Sequence, residues 1–368
     1  MSTSAERARS LSPAPQFKQG TEVSDRRNSD DNLIDTLRQK TIDVIRSAVP
    51  RDRPVALLDF PRYSNVGDSA IWLGEIHCLA ACGMAARDIR YMCDVATYDE
   101  ASLRDAVGND GVILLNGGGN FGDLWAIHQQ FREAVVAAFP NNPIVILPQS
   151  IHFREPGALE RTAEIFNRHA QLTILVRDRL SFDLLQQHFS ASSEMCPDMA
   201  FCIGSLERPV RPEQDVVYLA RADQESQFSD DGGGFGDIES VDWPETGAAQ
   251  QWRIGNGIAD FQVDHRTTAR SLRAPLQFLT RTSYNAMAKE RLAVGSRLLA
   301  RGRVVVTDRL HAHILALLLG IPHVVLDNSY GKIRRFHDAW TTGSTLTAFA
   351  ETREEAFEVA GAMLRERH

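Results

Sequence analysis

The sequence predicts an α/β fold built as two Rossmann-like, doubly wound domains that face each other across a cleft. Three observations carry that expectation. Short apolar runs recur along the chain, among them "VALLDF", "VILLN", "PIVILP" and "LTILV". Amphipathic segments of helical period follow them, such as "AIWLGEIHCLAACG" and "RLSFDLLQQHF". Continuous apolar strands alternating with helices indicate a parallel sheet covered on both faces. The alternation then starts afresh at Asp215–Asp223, "DVVYLARAD", after the joint "SLERPVRPEQ".

In chain order, residues 1–30 are polar and rich in Ser and Pro, lack the apolar core of a secretory signal, and read as a disordered tail. Asn32 to Val49 has the apolar spacing of a helix. "VALLDF" is a buried strand, followed by the loop "PRYSNVGDS" and a helix that stops at Gly83. "GVILLNGGGNFGDLW" reads as strand, glycine loop and helix start. "PIVILPQS" and "LTILVRD" are the next strands, each followed by a helix. These elements make a first domain over 31–205. The second, 206–368, opens with "DVVYLARAD" and resumes with helices through Leu299, the strand "VVVTD", the helix "HILALLLG", the strand "HVVLDN" and a last helix. Residues 222–285 interrupt it as a partial insertion. The polar, glycine-rich Gln224–Trp252 reads as a disordered insertion or an acceptor-side lid.

Composition narrows the partners. A formal net charge of −8 over 368 residues lacks the basic footprint of a nucleic-acid binder. Five cysteines without a CxxC pair read as reduced thiols of a cytosolic protein. The longest apolar stretch, Ile314 to Leu326, is cut by Gly320, Pro322 and His323 and is too short to span a bilayer. The expected location is cytoplasmic, with any membrane contact peripheral, at the inner face of the plasma membrane.

The strand ends carry the candidate chemistry. Gly117-x-Gly119-x-x-Gly122 has the spacing of a dinucleotide fingerprint. That fingerprint needs an acid about 20 residues on to hold a ribose, and "FPNNPIVIL" has none. A tight turn packing helix on strand, or an anion loop made by Gly117, Gly118, Gly119 and Asn120, remains. In "RYSNVGDSAIW", Asn65 and Gly67 make a turn at a strand end, with Asp68 or Ser69 as helix cap. Arg177 and Arg221 each leave a strand at its carboxyl end, as an ion-pair partner or an anion ligand.

The sharpest signal is "TDRLHAHILALLLG", where Asp308, Arg309, His311 and His313 sit at a strand-to-helix joint. Two residues apart on a helix, His311 and His313 point in nearly opposite directions and cannot share a metal. His313 reads as a core histidine with a satisfied hydrogen bond. Arg309 beside His311 calls for an anion between them. Lys332 adds a second cation after the next strand.

"NVGDSAIWLGE", "LLNGGGNFGD", "VRDRLSFDLL" and above all "TDRLHAHILALLLGIPHVVLDNSYGK" resemble the polysaccharide pyruvyltransferases, over roughly Val55 to Trp340. The resemblance implies a GT-B-like pair of domains and phosphoenolpyruvate as donor substrate, with no metal or other cofactor. The acceptor would be two hydroxyls of a sugar in an oligosaccharide or lipid-linked glycan, giving a cyclic ketal and phosphate. It marks His311 and Arg309 as the catalytic pair. Arg177, Arg221, Lys332, Ser329 and Tyr330 fall on the donor side, since a carboxylate and a phosphate together require several cations. Asn65, Gly67, Asp68 and the segment Gly117–Asn120 fall on the acceptor or loop side. Two other readings share the fold expectation: a nucleotide-sugar glycosyltransferase using Asp327 for ribose, and a non-catalytic anion-binding protein of a polysaccharide assembly complex.

Overall fold

The computed structural model describes residues 19–366, apart from 85–87, 222–237, 239, 245–249, 265–269 and 328–330. Its first sheet comprises β1 (Val55–Leu58), β2 (Ile89–Cys93), β3 (Val112–Leu115), β4 (Gly118–Gly122), β5 (Ile144–His152), β6 (Leu172–Val176) and β7 (Ser192–Met195). The strands run in the order β2-β1-β3-β5-β6-β7, with β4 also pairing with β5, and every pairing is parallel. The second sheet, also all parallel, has the order β12-β11-β10-β8-β9. Its strands are β8 (Gln214–Leu219), β9 (Ser240–Val241), β10 (Gly302–Thr307), β11 (His323–Leu326) and β12 (Thr347–Ala350). Each residue of β1, β3 and β11 is buried, which explains why these strands are unbroken apolar runs rather than alternating ones.

Helices follow most strands: α2 (Val66–Ala81) after β1, α4 (Ala126–Ala138) after β4, α6 (Arg179–His188) after β6, α9 (Leu310–Leu318) after β10 and α10 (Lys332–Trp340) after β11. α3 (Glu100–Val107) and α5 (Pro156–Asn167) complete the first sheet's connections, and α11 (Arg353–Arg365) follows β12.

Two expectations need correction. The glycine run is strand, not loop: Gly118–Gly122 pairs with Gln149–His152 of β5, and α4 starts only at Ala126 after a 3₁₀ turn at Asp123–Trp125. The cause lies in the neighbouring strand. Pro148 interrupts β5, whose register slips between Ile146 and Gln149, so the glycine segment pairs beyond the break. Helix α1 (Gln19–Ala48) begins inside the stretch read as a tail. Buried Asp30 anchors it, accepting from the Thr345 main-chain N–H at 3.1 Å and from its hydroxyl. The segment 222–285, read as a partial insertion before helices that run to Leu299, includes α7 (Gln250–Asp264) and the start of α8 (Arg270–Ala300).

Those last helices pack against the first sheet, although they follow β8 in the chain. Tyr284 of α8 stacks on Phe60 at 4.0 Å, and Trp72 of α2 donates its indole N–H to Asn285 at 3.0 Å. Trp252, Met287 and Ala288 complete the same core. Fully burying one such aliphatic or aromatic side chain stabilises by roughly 1.5–3 kcal/mol. The result is that the carboxyl ends of β1, β6, β8 and β10 deliver their next residues toward one place.

Candidate active site

A cavity of about 400 Å³ opens there. Asn65 and Asp68 reach it from the start of α2, Gly119 and Asn120 from β4, and Trp125, Ile127 and His128 from the start of α4. Arg221, Asp242, Trp243, Arg309, His311 and Lys332 reach it from the elements of the second sheet. Parallel sheets bind ligands at this end of their strands.

At its base lies a buried ion pair. Arg177, the first residue after β6, donates to Asp198 through Nη1 and to Ser150 through Nε at 3.0 Å. Arg177 and Asp198 are both fully buried. Asp198 begins a 3₁₀ turn after β7 and also accepts from the Ala200 N–H at 2.9 Å. His311, in the first turn of α9, brings Nε2 to 3.5 Å from both Asp198 Oδ2 and Arg177 Nη1. Burial alone would discourage ionisation of Asp198, but Arg177 and then His311 outweigh it and hold the carboxyl well below its usual range. The remaining guanidinium nitrogen, Arg177 Nη2, is buried and has no hydrogen-bond partner among the described residues.

Two glycines make this grouping possible. A Cβ on Gly67 would lie 2.2 Å from His311 Nδ1, and one on Gly119 would lie 2.5 Å from Lys332 Nζ and 3.2 Å from Arg177 Nη2. Gly67 at the start of α2 and Gly119 in β4 thus serve close approach by cationic side chains. Gly117 hands its N–H to Glu75 at 2.8 Å, and burial keeps that carboxyl's pKa well above the ordinary range. Asn120 lines the cavity, and its side-chain oxygen accepts from Arg132 at 2.7 Å and Gln149 at 3.2 Å.

Asn65, rather than Asp68 or Ser69, caps α2: its Oδ1 accepts from the Gly67 N–H at 2.8 Å. Asp68 is left to line the cavity. Arg309 pairs with Asp242, and the Arg221 N–H donates to buried Asp308 at 2.8 Å. Lys332 is the first residue of α10, whose next N–H groups are capped by Asp327 at 3.1 and 3.4 Å. Ser329 and Tyr330 lie outside the described residues. His313 faces away from the cavity into a buried cluster, with Nδ1 2.7 Å from His323 and Nε2 2.9 Å from Thr341.

A family model for polysaccharide pyruvyl transferases matches residues 65–330, a span that holds the site residues from Asn65 to His311 and stops short of Lys332. The chain belongs to the polysaccharide pyruvyl transferase family. Membership makes it a transferase of polysaccharide synthesis. It is 33% identical over 304 residues to Pyruvyl transferase 1 of Schizosaccharomyces pombe, a match covering 80% of this chain and 71% of that one. It is 31% identical over 309 residues to EpsO of Bacillus subtilis, covering 84% and 91%. A crystal structure of an uncharacterized protein from Klebsiella pneumoniae shares the fold with a TM-score of 0.51 at 17% identity, covering 86% of this chain and 99% of that one.

Of the residues expected from the sequence of this pyruvyl transferase family member, Arg309, His311, Lys332, Arg221, Asn65, Asp68, Gly119 and Asn120 line one cavity, with Arg177 beneath His311. Gly67 stands against His311, Gly118 opens β4, and Gly117 lies in the short link between β3 and β4. Sequence reasoning missed Asp198, Asp242, His128 and Asp59. The signal available for Asp198 was an acid directly after Cys196-Pro197 at the end of a strand; the others offered none.

Proposed function

We propose that the protein transfers the pyruvyl group of phosphoenolpyruvate onto two hydroxyls of one sugar in an oligosaccharide or lipid-linked polysaccharide precursor, closing a cyclic ketal and releasing phosphate. The observation that carries this reading is the cation group around His311: Arg177, whose Nη2 has no hydrogen-bond partner among the described residues, Lys332 against Gly119, and Arg309 and Arg221 on the cavity wall. A donor bearing both a carboxylate and a phosphate answers such a site. Tyr63, Trp125 and Trp243 supply flat apolar walls for a sugar ring.

In this mechanism His311 acts as general acid and protonates the methylene carbon of phosphoenolpyruvate, giving an oxocarbenium-like centre at C2. Asp198 orients the imidazole from behind and balances the charge of Arg177. A sugar hydroxyl attacks C2, phosphate departs, and the neighbouring hydroxyl closes the ring. The chain needs no cofactor in this scheme. The reading treats residues 31–205 and 206–368 as two GT-B-like domains with the reaction in the cleft between them, on the cytoplasmic face of the membrane that holds the acceptor. The nucleotide-sugar alternative would set a ribose on Asp327, whose Oδ1 accepts from two N–H groups of α10.

The test is incubation with phosphoenolpyruvate, or with UDP-sugars, and a panel of acceptor glycosides, reading phosphate or UDP release and acceptor mass. Phosphate release with a gain matching a pyruvate ketal is expected; UDP release overturns the reading. His311→Ala should lower turnover by about 10²–10⁴-fold, and retention of more than about a tenth would remove the acid role.

A further inference from the structure

The proposed chemistry needs a base as well as an acid, and the cavity holds a second histidine–carboxylate pair that the scheme above leaves unused. His128, in the first turn of α4, lines the same cavity as His311. Its Nδ1 lies 2.8 and 3.1 Å from the two carboxylate oxygens of Asp59, the residue that follows β1. Asp59 is buried and its carboxylate accepts, so Nδ1 carries the hydrogen of this bond; the neutral tautomer that the bond selects has its lone pair on Nε2, on the opposite edge of the ring. Tyr63 packs edge-on against the imidazole at 5.5 Å and fixes its plane.

The backbone marks the carboxylate. Asp59 has φ +71°, one of two non-glycine residues with positive φ among the described residues, and it stands at the carboxyl end of a buried central strand. A left-handed residue in such a place costs on the order of 1 kcal/mol or more and concentrates at functional sites. Here it turns the carboxylate onto His128. The carboxylates that line the cavity are engaged differently: Asp242 is paired with Arg309, and Asp68 is hydrogen-bonded to Tyr63.

We propose that His128 is the general base of the transfer and that Asp59 positions it. The inference rests on the phosphoenolpyruvate reading. As His311 gives its proton to the methylene carbon, the first sugar hydroxyl forms its bond to C2 and its proton passes to Nε2 of His128. The C2–O bond to phosphate then breaks, and that proton leaves with the phosphate as hydrogen phosphate. The second hydroxyl forms the second C2–O bond and returns its proton to His311. Both histidines end as they began, and the two hydroxyl protons are accounted for, one on the new methyl group and one on phosphate. Two histidines with separate carboxylate partners let acid and base act on the same substrate.

The test uses the full chain with phosphoenolpyruvate and p-nitrophenyl glycosides as acceptor probes. His128→Ala should lower kcat by about 10²–10⁴-fold, with the KM for phosphoenolpyruvate within about threefold of wild type, and added imidazole should restore part of the rate. Asp59→Asn keeps a residue that tolerates positive φ, so it removes charge and not backbone shape; it should lower kcat at least tenfold at unchanged melting temperature. A wild-type protein that turns over while His128→Ala keeps more than a tenth of kcat overturns the base alone. Loss of activity without imidazole rescue, together with a lowered melting temperature in both variants, assigns the pair to structure and also overturns it. A wild type that neither binds phosphoenolpyruvate calorimetrically nor releases phosphate from it overturns the donor reading and this inference together.

Discussion

Gly67 and His311 are packed so closely that a methyl group on Gly67 would fall inside the imidazole, 2.2 Å from Nδ1 and 2.3 Å from Cγ. The two residues sit at the first turns of α2 and α9, which belong to different sheets. The glycine therefore sets where the histidine can stand. In an isolated helix Gly→Ala would be favourable by up to about 1 kcal/mol. Here Gly67→Ala must displace either the ring or α2. Displacing a reacting group by about 1 Å costs on the order of 10²-fold in rate, and steady-state kcat should fall by that amount while circular dichroism stays native. Turnover within threefold of wild type would show that His311 is not held by this contact.

Gly119 and Gly122 lie three residues apart on β4 and should fail differently. A Cβ on Gly119 meets the tip of Lys332 at 2.5 Å, and a lysine tip can move. Gly119→Ala should therefore fold normally and raise the KM for phosphoenolpyruvate, by roughly tenfold for one weakened charge contact of about 1.4 kcal/mol. Gly122 has φ +132° and its Cβ would fall 1.8 Å from the His152 carbonyl oxygen, which is backbone and cannot yield. Gly122→Ala should lower stability by more than about 1 kcal/mol, read as a shifted urea midpoint. Equal effects of the two substitutions on both readouts would refute the distinction.

That pair also shows where sequence reading stops. The strands were legible because residues buried on both faces leave an unbroken apolar run, and His311 was legible because an arginine beside it at a helix start has no place in a core. The glycine segment was misread because strand and loop have the same composition there; the outcome depends on Pro148 in a neighbouring strand. Asp198 acquires its role from residues 21 positions before it, and Arg177 meets His311 across 134. Asp59 and His128 are 69 apart, and neither has a local pattern that singles it out. Asp242 comes from a segment whose polarity suggested an insertion. Proximity made by the fold has no periodicity, so such pairs are invisible until the sheets are assembled.

Asp198→Asn tests the buried pair through pH. The carboxyl is held below its ordinary value, chiefly by Arg177 against the opposing effect of burial. Such a group contributes stability that is complete above the unfolded carboxylate value of about 3.9 and is lost as pH falls through the lower folded value. At neutral pH the variant leaves Arg177 buried without its counter-charge, a loss of about 3–5 kcal/mol. The gap between wild type and variant should narrow only below about pH 4, as measured by denaturant unfolding at several pH values. A gap that narrowed already between pH 7 and 5 would contradict the assignment.

The cluster behind His311 should titrate in a higher pH range than Asp198. His313 and His323 are fully buried, bonded to each other, and joined by Thr341, Thr347 and His337. Burial first, then the neighbouring histidines, pushes His313 well below its ordinary value. Burial takes His323 down to about 4, with the Ile321 carbonyl and Asp30 opposing. A histidine lowered on folding favours the unfolded state wherever that state binds the extra proton. Stability from this cluster is thus complete above about pH 6.5 and drains away as pH falls toward 4. Each uncompensated proton steepens the fall by about 1.4 kcal/mol per pH unit. His323→Asn can still donate to the Ile321 carbonyl but cannot titrate, so its stability should be lower at pH 7 and flatter between pH 6.5 and 4. Because His313 lies two residues after His311, on the opposite face of α9, wild-type turnover should fail over the same interval in which the unfolding midpoint drops, and the variant should uncouple the two. Parallel stability profiles for wild type and variant would show that the cluster does not titrate with folding.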